Sequence, residues 1–140
     1  MNRIVLVTGG FDPLHSGHIE YFHKAKSLGD RLIVGINSDK WLSKKKGRSF
    51  MPFEERATII KNLAVVDDIL SFNDDDGTAS NAIFKLASIN SSDTKIVFAN
   101  GGDRTDTNIP EYTIYHDVPW VEFVFGVGGT HKINSSSWIL

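Results

Sequence analysis

The chain of 140 residues has no cysteine. That absence removes disulfide frameworks, thiolate zinc sites and cysteine nucleophiles together, and it allows a reducing compartment. Nor is there a large excess of one charge: 15 Lys and Arg against 17 Asp and Glu leave a net charge of −2. No global basic field invites a nucleic-acid duplex, so no nucleic-acid partner is expected. Long hydrophobic runs are missing too. Ile4-Val5-Leu6-Val7 is too short for a secretory h-region and runs directly into Gly9-Gly10, and no stretch approaches membrane-spanning length. A cytoplasmic protein without a membrane partner is expected. Internal repeats, low-complexity tracts and linkers are absent. What is present is a 41% hydrophobic fraction, enough for one continuous core without metal or disulfide staples, and residues 1–140 read as one domain.

Strand and helix patterns alternate along the chain. Ile4 to Thr8 is a compact β-branched run and reads as a strand buried on both faces. Gly17 to Leu28 has helical spacing, with Gly29 expected as its C-terminal cap. Arg31 to Asn37 reads as a second strand, which makes a βαβ unit. Lys44-Lys45-Lys46-Gly47-Arg48 is expected to be a loop by composition. Pro52 with Glu54 and Glu55 marks a helix start running to about Leu63. Ile69 to Phe72, Lys95 to Ala99 and Trp120 to Phe125 read as strands, and Thr78 to Ser88 as a helix. This pattern predicts an α/β fold with a single doubly wound parallel sheet and helices on both faces, the chain being far too short for a barrel of eight units. In such sheets ligands bind beyond the C-terminal strand ends, after Thr8, Asn37, Ala99 and Phe125.

The loop after the first strand, Gly9-Gly10-Phe11-Asp12-Pro13-Leu14-His15-Ser16-Gly17-His18, opens a helix. His15 and His18 stand three apart at its start and can point at one spot, while Gly17 keeps the backbone clear for a phosphate. Imidazole N–H groups beside a helix N-terminus suit a phosphorus centre whose oxygens must be held during bond exchange. A Walker loop is excluded because the Lys-Ser/Thr pair is missing, and the dinucleotide glycine pattern is absent as well. Transition-metal ligation by His15, His18 and His23, and ordinary polar turn residues, are the competing readings. Asp74-Asp75-Asp76-Gly77 lacks the ligand spacing of an EF-hand and reads as a solvated turn.

The segment Gly10 to His18 resembles the HxGH signature region of the cytidylyltransferase-like nucleotidyltransferase superfamily, whose fold is Rossmann-like. The similarity continues through Leu28 to Asp39, Pro52-Phe53-Glu54-Glu55-Arg56, Val66-Asp67-Asp68-Ile69 and Asn100-Gly101-Gly102-Asp103. Within the superfamily the chain is most similar to the adenylyltransferase domain of heptose-phosphate enzymes, followed by glycerol-3-phosphate cytidylyltransferase.

The resemblance implies transfer of a nucleoside monophosphate from CTP or ATP to a sugar or polyol phosphate, with pyrophosphate released. His15 and His18 would contact nucleotide phosphates, and the backbone at Gly9, Gly10 and Phe11 would border the triphosphate, with Asp12 and Gly17 nearby. Lys44, Lys45 and Lys46 are candidates for gripping phosphate, with a solvated charge run as the alternative. Arg56 would sit near the phosphates, or else form a surface salt bridge to Glu54 or Glu55. Asn100, Gly102 and Asp103 would meet base or ribose. Ser135, Ser136 and Ser137 resemble a hydroxyl-rich helix start that meets phosphates. The cytidylyltransferase signature Arg-Thr-Glu-Gly-Ile-Ser is replaced by Gly129-Thr130-His131-Lys132-Ile133-Asn134, where Lys132 would be the candidate to supply the missing positive charge. Mg2+ is the implied cofactor, bridging triphosphate oxygens with few dedicated protein ligands, for which Asp12 and Asp103 are the candidates. A homodimer is also implied. The divergent final segment supports an alternative, a nucleotide-binding module without transfer chemistry.

Overall fold

Apolar residues on the two central strands alternate in destination, and this alternation builds the two layers that flank the sheet. In the computed structural model, which describes residues 2–91, 93–102, 105 and 108–128, the first strand, β1, spans Arg3–Gly9. Its Val5 and Val7 enter one core with Phe22, Ala25, Ala57 and Ile60, while Ile4 and Leu6 enter a second with Ala82, Ile83 and Leu86. Period-2 side-chain direction lets one apolar run feed both cores. The doubly wound arrangement follows, with helices on both faces as expected.

The remaining elements are α1 (Ser16–Lys26), β2 (Arg31–Ile36), α2 (Asp39–Lys46), α3 (Phe53–Lys61), β3 (Asp68–Ser71), α4 (Ser80–Ser88), β4 (Lys95–Gly101), α5 (Pro110–Tyr115) and β5 (Val121–Val127). The described residues form a five-stranded, all-parallel sheet in the order β3-β2-β1-β4-β5. The chain moves outward from β1 to β3, then returns to the other side of β1 with β4. The gap between β1 and β4 is therefore the topological switch point. Pairing of β1 with β4 ends at Leu6↔Phe98, although both strands continue, so a crevice opens above that register.

Three local expectations are corrected. Lys44 to Lys46 are not loop but the last turn of α2, which Ser38 caps at the start and Gly47, at φ 88, closes at the end. Lysines at a helix C-terminus face the negative end of its dipole, which a reading by charge composition alone overlooks. Gly29 is not the cap of α1; Ser27 is, in ordinary helical conformation. Gly29 is instead a point of close approach, where an added Cβ would lie 2.7 Å from the Arg3 carbonyl oxygen. Asp74 is not solvated but buried, accepting from Asn37 Nδ2 at 3.0 Å and from the Ser38 N–H and hydroxyl at 2.9 and 2.8 Å. It ties off the end of β2. Asp75 and Asp76 are exposed, as a turn requires.

Candidate active site

At the mouth of the crevice, β1 gives way to a loop folded so tightly that Phe11 adopts φ 51, a region that costs a residue with a side chain roughly 1–2 kcal/mol. The position is held because the Phe11 ring is buried edge-on against both His18 and Phe22, with centroids 5.1 and 5.2 Å away. Phe11 thus anchors the loop in the core. Gly10 lies against α2: a Cβ there would come within 2.6 Å of Leu42 Cδ2.

His15 and His18 interlock. His15 is the N-cap of α1, and its Nδ1 accepts from the Gly17 N–H at 3.1 Å, while His18 Nδ1 accepts from the His15 N–H at 3.1 Å. This is a capping box built from two imidazoles. The rings stack with centroids 3.8 Å apart and planes 23° from parallel. Because each Nδ1 is an acceptor, the neutral rings carry their proton on Nε2, on the far side from the helix start. The cap thus converts two backbone donors into two side-chain N–H donors. Gly17 has a steric reason for its identity, since an added Cβ would meet His15 Cε1 at 3.0 Å.

Burial, reinforced by its neighbour His15, pushes His18 down to about 4 from its ordinary 6.5, and burial lowers His15 as well. Both rings are neutral donors at neutral pH.

Asp12 and Arg56 hold the walls. The buried Asp12 carboxylate accepts from the Phe50 and Met51 N–H groups at 2.6 and 2.7 Å, and Lys46 Nζ sits 3.0 Å from it. Burial alone would raise this carboxyl, but the two N–H groups and Lys46 outweigh it and hold it below the usual range. Lys46 also donates to the Asp12 carbonyl at 2.6 Å, so it latches the end of α2 to the loop after β1. Lys45 lies over the Trp41 ring at 4.7 Å. Arg56 is buried rather than at the surface. Its guanidinium donates to the carbonyls of Met51, Gly10 and Asn37 at 3.0, 2.9 and 2.8 Å, and pairs with Asp39 at 2.6 Å, not with Glu54 or Glu55. It is a strut joining three loops around the crevice.

Across the crevice, Asn100 is buried at the end of β4 with its Nδ2 donating to the Phe98 carbonyl at 3.3 Å, and Gly102 follows at φ 64. Asp103, Lys132, Ser135, Ser136 and Ser137 lie outside the described residues. Among the described residues, no three His, Asp or Glu side chains converge on a metal-sized site. His15, His18 and His23 therefore form no metal cluster. Asp39 and Leu42 also shape the site, although sequence assigned neither a role; the position of Asn37-Ser38-Asp39 at a strand end is the signal that points to Asp39.

Comparison with known proteins assigns the chain to a family. The cytidylyltransferase-like profile covers residues 6–128. This chain belongs to that family. Among curated relatives, the cytidylyltransferase-like chain is 36% identical over 130 residues to the bifunctional protein HldE of a Nitratiruptor species, covering 91% of this chain and 26% of that protein. It is 45% identical over 75 residues to HldE of Proteus mirabilis, covering 52% of this chain and 16% of the relative. It thus spans about a quarter or less of the length of these relatives. Two solved structures are alike in fold. The lipopolysaccharide core biosynthesis protein of Thermoplasma volcanium superposes with a TM-score of 0.69 at 23% identity, over 89% of this chain and 96% of that one. A NadR protein in complex with NAD and AMP-PNP gives 0.65 at 21%, over 99% and 42%. Membership in the cytidylyltransferase-like family agrees with the enzyme class expected from the HxGH segment. No helix among the described residues of this family member is long and apolar enough to cross a membrane.

Proposed function

We propose that the chain is a nucleotidyltransferase that moves a nucleoside monophosphate from CTP or ATP to a sugar or polyol phosphate and releases pyrophosphate. The observation that carries this reading is the interlocked pair His15 and His18 at the switch point, with both Nδ1 atoms engaged on the helix start and both Nε2–H groups left to donate. An acceptor phosphate oxygen attacks the α-phosphorus in line as the bond to pyrophosphate breaks. The Nε2–H donors hold phosphate oxygens through the exchange, aided by the positive end of α1. Neutral imidazoles can fill this role, since with Nδ1 accepting each keeps its N–H on Nε2 to donate.

The described residues fit Mg2+ as an ion carried by the triphosphate and water. Both Asp12 carboxylate oxygens already have partners, and the described residues hold no three-ligand cluster. Bound in that way, the ion supplies neutralisation of triphosphate charge. Lys46 and Arg56 act here by fixing the loops, Lys46 through Asp12 and Arg56 through Gly10 and Asn37. A homodimer belongs to the same reading, checked by sedimentation.

The decisive assay is pyrophosphate release from ATP or CTP with Mg2+ across a panel of sugar and polyol phosphates. Release that requires both donor and acceptor, and that stops on chelation, is expected. A folded protein that binds nucleotide but releases no pyrophosphate with any acceptor overturns the transferase reading.

A further inference from the structure

The C-terminal ends of β4 and β5 are out of step by one residue. Ala99 pairs with Val124 and Gly101 with Val127, so two steps along β4 face three along β5, the mark of a β-bulge on β5. Gly126 lies within it at φ 71, a conformation that favours glycine. On its other side β4 has lost β1, because that pairing stops at Phe98. Ala99 to Gly101 would thus be a loosely held strand end, bulged on one flank and unpaired on the other.

One side chain supports this end. Tyr21 of α1 donates its phenolic O–H to the Ala99 carbonyl, one residue past the last β1 pair. Its ring fills the space beneath the strand ends: a Cβ on Gly101 would lie 3.2 Å from Tyr21 Cε1, and one on Gly128 would lie 3.5 Å from Tyr21 Cα. Tyr21 therefore lies close beside Gly101 at the end of β4 and beside Gly128 just past β5. It follows His18 by three residues, on the same side of the helix. A residue that only filled the core there would need no hydroxyl; this one places its hydroxyl on a carbonyl that the ladder has abandoned.

We propose that Tyr21 is a positioning residue for nucleoside recognition, setting the backbone of Ala99–Gly102 against Gly126–Gly128 so that these strand ends read base and ribose while the histidines hold phosphate. The proposal rests on the nucleotidyltransferase reading. Helix α1 then carries both halves of the donor site in one rigid element, phosphate donors at its first turn and the support of the nucleoside half one turn later.

The test is the binding of ATP, CTP and inorganic tripolyphosphate, each with Mg2+, measured calorimetrically for the wild type, Tyr21→Phe and His18→Ala. Tyr21→Phe keeps the ring and removes one hydrogen bond. It should weaken the tighter-binding nucleotide about 3- to 10-fold and leave tripolyphosphate affinity unchanged. Tyr21→Leu, which also removes the ring, should lose more nucleotide affinity and again spare tripolyphosphate. Equal loss for nucleotide and tripolyphosphate, or no loss in either Tyr21 variant, overturns the proposal. His18→Ala should weaken all three ligands; if tripolyphosphate binds it as well as wild type, the phosphate reading of the histidines fails while the Tyr21 comparison still decides its own question. A wild type that binds neither ATP nor CTP overturns both.

Discussion

At the scale of single residues, the histidine pair does two jobs through one ring each, capping with Nδ1 and donating with Nε2. Removing one ring should therefore affect both chemistry and helix. His18→Ala is expected to lower turnover about 100-fold or more, the usual cost of losing a preorganised donor, and unchanged pyrophosphate release from the folded variant would contradict it. The same ring makes stability depend on pH. In the unfolded chain His18 takes up a proton near its ordinary 6.5, but in the folded protein only near 4. Acid therefore favours unfolding between those values. The His18 contribution is complete above about pH 6.5, falls as pH drops, and levels off below about pH 4. Urea midpoints at about pH 7, 5.5 and 4.5 should decline in that order, and His18→Asn, which keeps an acceptor for the His15 N–H, should flatten the slope. The two histidines were legible in sequence because their spacing at a strand-to-helix junction is local. Their neutrality was not, because burial by Phe11 and the neighbouring ring comes from the folded loop.

At the scale of elements, α2 shows how a charge run can be misread. Three successive lysines look like solvated loop, yet Ser38 and Gly47 cap them into a helix whose last residue latches onto Asp12. Gly47→Ala would force a Cβ into left-handed backbone and should cost roughly 1–2 kcal/mol, read as a lowered denaturation midpoint. Lys46 would lose its fixed starting point along with the cap. Arg56 is the counterpart on α3. Sequence placed it either near phosphate or on Glu54 or Glu55, because only its own helix was visible. The folded chain instead brings Gly10, Asn37, Met51 and Asp39 around it. Arg56→Ala leaves these groups without their shared donor, and a loss of roughly 3 kcal/mol is expected, at the low end for a buried pair because Asp39 is partly exposed. Thermal unfolding checks the value, and nucleotide affinity should fall with it as the loops separate. The short helix α5 left no mark in the sequence reading, since six residues offer too few turns for a periodicity.

At the scale of the whole molecule, the sheet order sets where chemistry can occur. Having β1 beside both β2 and β4 makes β1 the seam between the two halves, and its side chains feed both cores. Leu6, fully buried and itself in the last β1–β4 pair, supports the floor of the crevice. Leu6→Ala should cost about 2–5 kcal/mol in chemical denaturation. Because the crevice stands directly on that pair, nucleotide binding should weaken in parallel.

The sequence by itself determined the class of fold, the approximate places of its strands, and the loop that holds the histidines. Apolar periodicity, capping residues and a local motif depend on neighbours within a few positions. Only the tertiary structure decided that Asp12, Asp74 and Arg56 are buried, that Lys46 is latched, and that Tyr21 reaches the end of β4. Each depends on partners brought together from distant parts of the chain, and the burial that gives those contacts their weight exists only once the sheet has closed the two cores.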